Sequence, residues 1–368
     1  MRVLYFTEGD TPHDRRILLA LAGTHHKVFS LRRKVELTEP VEGIRELAWP
    51  KGQPDWSTWP GWQSGKEQFS EILELIQPDL VHAGPVQGPA HLTALADFHP
   101  LVTMSWGSDL LHDAHRSPWM RYNTRYTLMH SDLFFGDCHT VAKAAVFYGM
   151  EAENIVMFPW GVDLDHFSPE NSQGRIGKLR EKLGWEENFV VLCNRNWAPI
   201  YGVDVLAKAF VKAAQENDNF RLLLVGDGPQ GDEIHQVLMP VESQVHFPGW
   251  VPNEDLPGVY QSADLFVSPS HSDGSSISLL EAMACGCPVL VSDIPSNSEW
   301  VSPKIVGDLF YNGDVNHLYL KLLEMAKDPE LSIYGYQARK LAEKRANWTK
   351  NFGKLLDGYN VAISSHRT

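Results

Sequence analysis

Short, nearly continuous apolar runs alternate with helix-length amphipathic segments along this chain, and that alternation leaves few folds open. In the first half the runs are "RVLYF", "KVFSL", "DLVHA", "PLVTMSW", "DLFFG" and "NIVMF". "DRRILLALAG", "SEILELIQ" and "TVAKAAVFYG" read as helices between them. The second half repeats the rhythm with "FVVLCNR", "RLLLVG", "QVHFPG", "DLFVSPS" and "PVLVSD". A strand apolar at successive positions has no solvent face, so it needs cover on both sides, as in parallel sheets flanked by helices. At 368 residues the chain has room for two such domains. The polar, Gly- and Pro-containing stretch 161–188 interrupts the rhythm and reads as the break. The expected fold class is α/β: two doubly wound, Rossmann-like domains facing across a cleft, spanning 1–165 and 166–346. A tail, 347–368, reads as an amphipathic helix with Trp348, Phe352, Leu355, Leu356 and Tyr359 on its apolar face.

Charge and cysteine content narrow the function classes. A formal net charge of -14, from 32 basic and 46 acidic residues, argues against a nucleic-acid partner. "HHKVFSLRRK", residues 25–34, is a local basic patch that reads either as a solvated strand edge or as a peripheral membrane contact. The N-terminus opens directly on a strand-like run, so no signal peptide is expected, and no apolar run reaches the ~20 residues of a membrane span. Cys138, Cys193, Cys285 and Cys287 show no paired CxxC spacing, so no metal site is expected and the thiols are read as reduced in a cytoplasmic protein.

Open α/β sheets bind ligands at the carboxyl ends of their strands, which directs attention to the loops there. "HSDGSSISLLEAMACG" places Asp273, Gly274, Ser275 and Ser276 ahead of a short helix, with Ile277 and Ser278 in its first turn and Glu281 inside it. Free first-turn amides and the positive end of a helix dipole suit a phosphate. Asp273 and Glu281 suit sugar or ribose hydroxyls; equally they read as an N-cap and a helix-surface acid. Arg195 directly follows "FVVLC", where a guanidinium can grip a diphosphate, or simply stand at a strand end. "VGDGPQG" (Gly226, Gly228, Gly231) matches G-x-G-x-x-G formally, but lies outside a first βαβ unit and lacks the expected ribose-binding acid about twenty residues on. In the first half, "SWGSDLL" holds Trp106 and Asp109, and "GDTPHDRR" clusters His13, Asp14 and Arg15. Asp109 reads as an N-cap or as a group steadying charge on a sugar carbon. The His13 cluster reads as the polar start of a helix or as an acceptor contact.

Four segments carry a family resemblance: "DGSSISLLEAMACGCPVLVSDIPSNSEWV" (273–301), "VHFPGWVPNEDLPGVYQSADLFVSPS" (245–270), "FPWGVDLDHFSP" (158–169) and "SWGSDLL" (105–111). Together they resemble the family-4 retaining glycosyltransferases of the GT-B fold over nearly the full length. The resemblance implies that Glu281 binds the nucleotide ribose, that Asp273 binds the transferred sugar, and that amides around Ser275, Ser276 and Ile277 hold the diphosphate with Arg195. It also implies that Trp250 and Val251 lie near the base, with Gly226 on the donor side, and that the tail helix crosses back onto the first domain. Two positions depart from the pattern: Tyr201 stands where a Lys is usual before the glycine, and Trp106 where many relatives carry His. The implied activity is metal-independent transfer of a hexose-like sugar from a nucleotide sugar, with UDP-sugar favoured over GDP-sugar and no other cofactor. A carbohydrate or lipid-linked acceptor in cell-surface glycan synthesis completes the expectation, on the cytoplasmic side of the plasma membrane. A non-catalytic nucleotide-binding module and a sugar-nucleotide epimerase of the same architecture are the alternatives.

Overall fold

The computed structural model describes residues 1–34, 40–169 and 179–366; part of the expected linker, 170–178, lies outside the described residues. The chain divides into two compact units, Met1–Phe158 with Phe352–Thr368, and Pro159–Asn351. Residues 159–165 thus pack with the second unit.

The first unit holds a parallel sheet of β1 (Arg2–Thr7), β2 (Lys27–Arg32), β3 (Arg45–Glu46), β4 (Leu80–Ala83), β5 (Leu101–Met104), β6 (Leu133–Gly136) and β7 (Ile155–Met157). Their spatial order is β3-β2-β1-β4-β5-β6-β7, so the direction of winding reverses between β1 and β4. The second unit holds β8 (Phe189–Cys193), β9 (Phe220–Val225), β10 (Val245–Gly249), β11 (Leu265–Ser268), β12 (Val289–Ser292) and β13 (Gly307–Phe310). Here the order is β10-β9-β8-β11-β12-β13, with the reversal between β8 and β11. Both are doubly wound sheets. At a reversal the two crossover helices leave in opposite directions, which opens a crevice beyond the strand ends.

Local chemistry explains where the helices begin. Pro12–Ala22 opens with a reciprocal capping box between Thr11 and Asp14, and Thr58 caps Trp59–Ile76 by accepting from the Gly61 amide. The helix Val203–Glu216 buries Val203, Leu206 and Phe210 in one cluster with Val191 of β8 and Leu222 and Leu224 of β9. Each such side chain contributes about 1.5–3 kcal/mol on leaving water. The tail forms one helix, Trp348–His366. Within the first unit its Tyr359 hydroxyl lies 2.7 Å from His82 Nδ1, and Gly358 is seated so closely on Phe135 that a Cβ would lie 2.6 Å from the ring.

Candidate functional site

The second unit brings Arg195, Asp273, Ser276 and Ser278 together at its β8–β11 reversal. β8 delivers Asn194 and Arg195, and β11 delivers the loop 269–276. The two loops are tied by a hydrogen bond from the His271 amide to the Ile200 carbonyl, 2.9 Å. Gly202 makes their approach feasible: its φ is +60°, and a Cβ there would lie 2.3 Å from the Pro269 carbonyl oxygen. Only a residue without a side chain fits.

Arg195 sits at the centre. One terminal nitrogen donates to Ser276 Oγ (2.7 Å) and Ser278 Oγ (3.0 Å), and the other to Asp273 Oδ2 (2.6 Å). The Tyr201 ring lies 4.4 Å from the guanidinium carbon, within cation–π range. Burial pushes the Asp273 carboxyl up from its ordinary range, partly offset by Arg195 and by hydrogen bonds from the Gly274 amide and Ser276. Further polar contacts hold the loop: Ser296 Oγ donates to the Asp273 carbonyl (2.7 Å) and the Trp300 indole to Ser275 Oγ (3.1 Å).

The helix after this loop, Ile277–Ala284, starts at Ser276, whose side chain makes no capping bond. Leu279, Leu280, Ala282, Met283 and Ala284 are fully buried. A helix apolar on all sides belongs inside the protein, so the single acid within it requires a reason. Glu281 is only 8% exposed, and Tyr260 donates its hydroxyl to Glu281 Oε2 at 2.7 Å. Asn194 Nδ2 in turn donates to the Tyr260 oxygen, also at 2.7 Å. A fixed, desolvated carboxylate is a strong acceptor for hydroxyl groups. The sequence pointed to Glu281 but not to Tyr260 or Asn194. Tyr260 lies in the apolar pattern of the helix Leu256–Gln261 and carries no signal of its own.

The glycine-rich turn has a packing explanation. Gly228 lies against the Trp197 backbone, where a Cβ would come within 2.7 Å of its nitrogen. The Gly226 amide donates to the Gly249 carbonyl, 2.9 Å, which joins the ends of β9 and β10. Trp250 follows directly and is 79% exposed, with Val251 partly covered beside it. Gly226, Trp250 and Val251 therefore cluster at the carboxyl ends of β9 and β10.

In the first unit the expected acceptor residues are largely occupied by their own loops. Asp109 is 4% exposed. Its Oδ1 accepts from Ser105 Oγ (2.5 Å) and the Trp106 amide (3.0 Å), and its Oδ2 from the Val86 amide (3.0 Å). Burial raises its pKa, and those bonds pull it back. Its carboxylate therefore braces the loops after β4 and β5; it is not the N-cap that the sequence offered as the plain reading, because Gly107 holds that position ahead of the turn Ser108–Leu111. The Trp106 ring lies on Gly84, where a Cβ would come within 1.8 Å of it. A histidine would not fill that surface.

Asp14 is likewise consumed by structure. Oδ2 accepts from the Thr11 amide (3.0 Å) and Oδ1 from the Tyr5 hydroxyl (3.0 Å). Burial raises its pKa from 3.8 to about 6, with the hydrogen bonds of Thr11 and Tyr5 opposing. The folded state thus holds this proton more tightly than the unfolded chain does, so stability falls as pH rises through that window. Wild type should lose ~2 kcal/mol relative to Asp14→Asn between pH 4 and pH 7. Denaturant titration of both proteins at each pH checks this; parallel pH curves would refute it. His13 and Arg15 flank Asp14 on the same first turn, both partly exposed.

Two arginines of the basic patch at 25–34 are paired with acids. Arg33 pairs with Glu8 through Nε (2.6 Å) and a terminal nitrogen (2.5 Å), and Arg32 pairs with Glu46 at 2.9 Å. β3 lies outside β2 and the two arginine side chains are 10% and 18% exposed, so these residues are paired under cover and do not form a solvated strand edge. No helix among the described residues is long and apolar enough to cross a membrane.

Both halves of the chain are similar to known proteins. Residues 187–328 match the family model "Glycosyl transferases group 1", and residues 2–140 match "Glycosyl transferase 4-like". A GDP-mannose-dependent monoacylated alpha-(1-6)-phosphatidylinositol monomannoside mannosyltransferase from Corynebacterium glutamicum is 29% identical over 199 residues, 52% of each chain. An alpha-monoglucosyldiacylglycerol synthase from Streptococcus pneumoniae is 29% identical over 224 residues, 60% of this chain and 49% of the relative. This chain therefore spans about half the length of the curated relatives it matches. Among solved structures, Anabaena Alr3699/HepE in complex with UDP and glucose superposes with a TM-score of 0.81 at 20% identity, covering 98% of this chain and 99% of that one. With both sheets wound alike and both halves matched, the chain belongs to the group 1, family-4 glycosyltransferases of the GT-B fold.

Proposed function

We propose that the protein transfers a sugar, with retention of configuration, from a nucleoside-diphosphate sugar to a carbohydrate or lipid-linked acceptor in cell-surface glycan synthesis. The observation that carries this is one cluster at the β8–β11 reversal: the Arg195 guanidinium, the Ser276 and Ser278 hydroxyls, and the start of the helix that contains buried Glu281. It is the chemistry a diphosphate joined to a ribose requires. The second unit is assigned the donor, with the base near Trp250 and Val251 and the ribose on Glu281. The first unit is assigned the acceptor, with Asp109 acting through the loop it braces.

As the bond between sugar and phosphate lengthens, negative charge collects on the departing diphosphate. Arg195 and the first-turn amides stabilise it where it develops. Asp273, beside Gly274, accepts from hydroxyls of the sugar. Relatives named for GDP-mannose and for galactose from UDP support a nucleotide sugar as the class of donor. The reaction is assigned to the cytoplasm.

Calorimetry with UDP and GDP, followed by assay of nucleoside-diphosphate release from UDP-glucose, UDP-galactose and GDP-mannose with a membrane lipid extract as acceptor, tests the reading. Binding of one diphosphate and acceptor-dependent release are expected. No binding of either nucleotide at millimolar concentration would remove the proposal. Tyr201, in place of the usual lysine, favours a second reading, a nucleotide-binding module without turnover; binding with no release from any donor would select it.

A further inference from the structure

Arg195 has a buried Nε that finds no acceptor among the described residues, while both terminal nitrogens are engaged. An unsatisfied buried donor costs roughly 1–3 kcal/mol, and more on a charged group. Nε donates in the plane of the guanidinium, and an oxyanion that accepts from it together with a terminal nitrogen would satisfy it. Its one charged partner among the described residues is Asp273, and the pair is only partly exposed, with side-chain exposures of 12% and 17%. The Tyr201 ring covers one face of the guanidinium. Tyr201 is itself fixed: it lies in the turn Pro199–Tyr201, closed by left-handed Gly202, and packs against the core beneath the second sheet.

Resting on the donor reading above, we propose that Asp273 is a resting counter-ion that Arg195 exchanges for the donor's diphosphate, and that Tyr201 is a positioning residue holding the guanidinium plane through the exchange. The incoming phosphates carry more negative charge than one carboxylate and offer acceptors to Nε as well as to a terminal nitrogen. Asp273, once released, is free to accept from sugar hydroxyls. Donor binding and sugar recognition are thereby coupled: the carboxylate becomes available only when the diphosphate has displaced it. A lysine at position 201 would add charge but could not cover the guanidinium face. The tyrosine substitutes orientation for charge.

The exchange predicts that removing an acid from the site tightens nucleotide binding. In calorimetry with UDP and GDP, Asp273→Asn should bind the preferred diphosphate roughly tenfold more tightly, because no charged partner has to be displaced. Affinity for the corresponding nucleoside, which has no phosphate, should be unchanged. Tyr201→Ala should weaken diphosphate binding about tenfold, and Tyr201→Phe should restore it, since the aromatic face and not the hydroxyl acts on Arg195. Circular dichroism and melting curves establish that each variant is folded. Unchanged or weaker diphosphate binding in Asp273→Asn overturns the exchange, as does an equal gain for the nucleoside. Equal loss in Tyr201→Ala and Tyr201→Phe overturns the positioning role. If wild type binds neither diphosphate, the donor reading itself falls and the exchange with it.

Discussion

Arg195→Ala is expected to lower turnover of the nucleotide sugar by about 10²–10³-fold, the usual consequence of deleting one donor aimed at developing negative charge. The loss should fall mainly on kcat, because the charge on the leaving diphosphate is greatest in the transition state. Part of the effect is indirect: Ser276 and Ser278 lose the cation that aligns them, and Asp273 is left without its charged partner. Arg195→Lys separates these contributions. It keeps a positive charge but cannot donate to the serines and to a carboxylate in one plane, so it should recover only part of the rate. Steady-state kinetics on purified variants, with melting curves to confirm folding, make the comparison. Activity in Arg195→Ala within threefold of wild type would mean that the leaving group is stabilised elsewhere.

Glu281→Ala should weaken UDP or GDP binding by about 10–100-fold, the range for losing a hydrogen bond to a charged, desolvated acceptor. The geometry sharpens this into a graded series. Tyr260 occupies Oε2 and is backed by Asn194. Tyr260→Phe leaves the carboxylate in place but unsteadied, so its loss should be smaller, about threefold to tenfold. A ribose contact also predicts discrimination: the 2′,3′-dideoxy nucleotide should bind wild type and Glu281→Ala with nearly equal affinity. Calorimetry with the two nucleotides decides the matter. If the dideoxy form is still penalised by Glu281→Ala, the carboxylate serves the helix and not the ribose.

Which elements the sequence disclosed follows from how apolar they are. The strands β1, β4, β8, β11 and β12 are central or near-central, buried on both faces, and therefore written as unbroken apolar runs. β3 and β13 escaped that reading. β3 is two exposed residues, Arg45–Glu46, recruited at an edge by pairing with β2. β13 reads "GDLF", and the acid that breaks its pattern is buried with Lys321 at 2.8 Å, Lys304 at 3.6 Å and the Leu309 amide at 2.9 Å as partners. Neither has a periodicity to detect. The start of Trp59–Ile76 is hidden in the same way, because "WPGWQSG" has the glycines and proline of a turn while the Thr58 cap and the packing of Gly61 and Gly65 make it helical.

The candidate site divides along a similar line. Arg195, Asp273 and Glu281 could be named from the chain alone, since charged residues directly after apolar strands, or inside an apolar helix, conflict with burial and so call for a function. Their mutual arrangement could not. Asp273 faces Arg195 across 78 positions of the chain and Tyr260 holds Glu281 across 21, while the Tyr201 ring covers the guanidinium from within the same loop at 4.4 Å. Local sequence fixes which segments are strands and helices because hydrophobic periodicity is a property of neighbours along the chain. The partners of a buried charge are chosen only when sheets wind and loops from distant strands close on one another, so those partners belong to the tertiary structure.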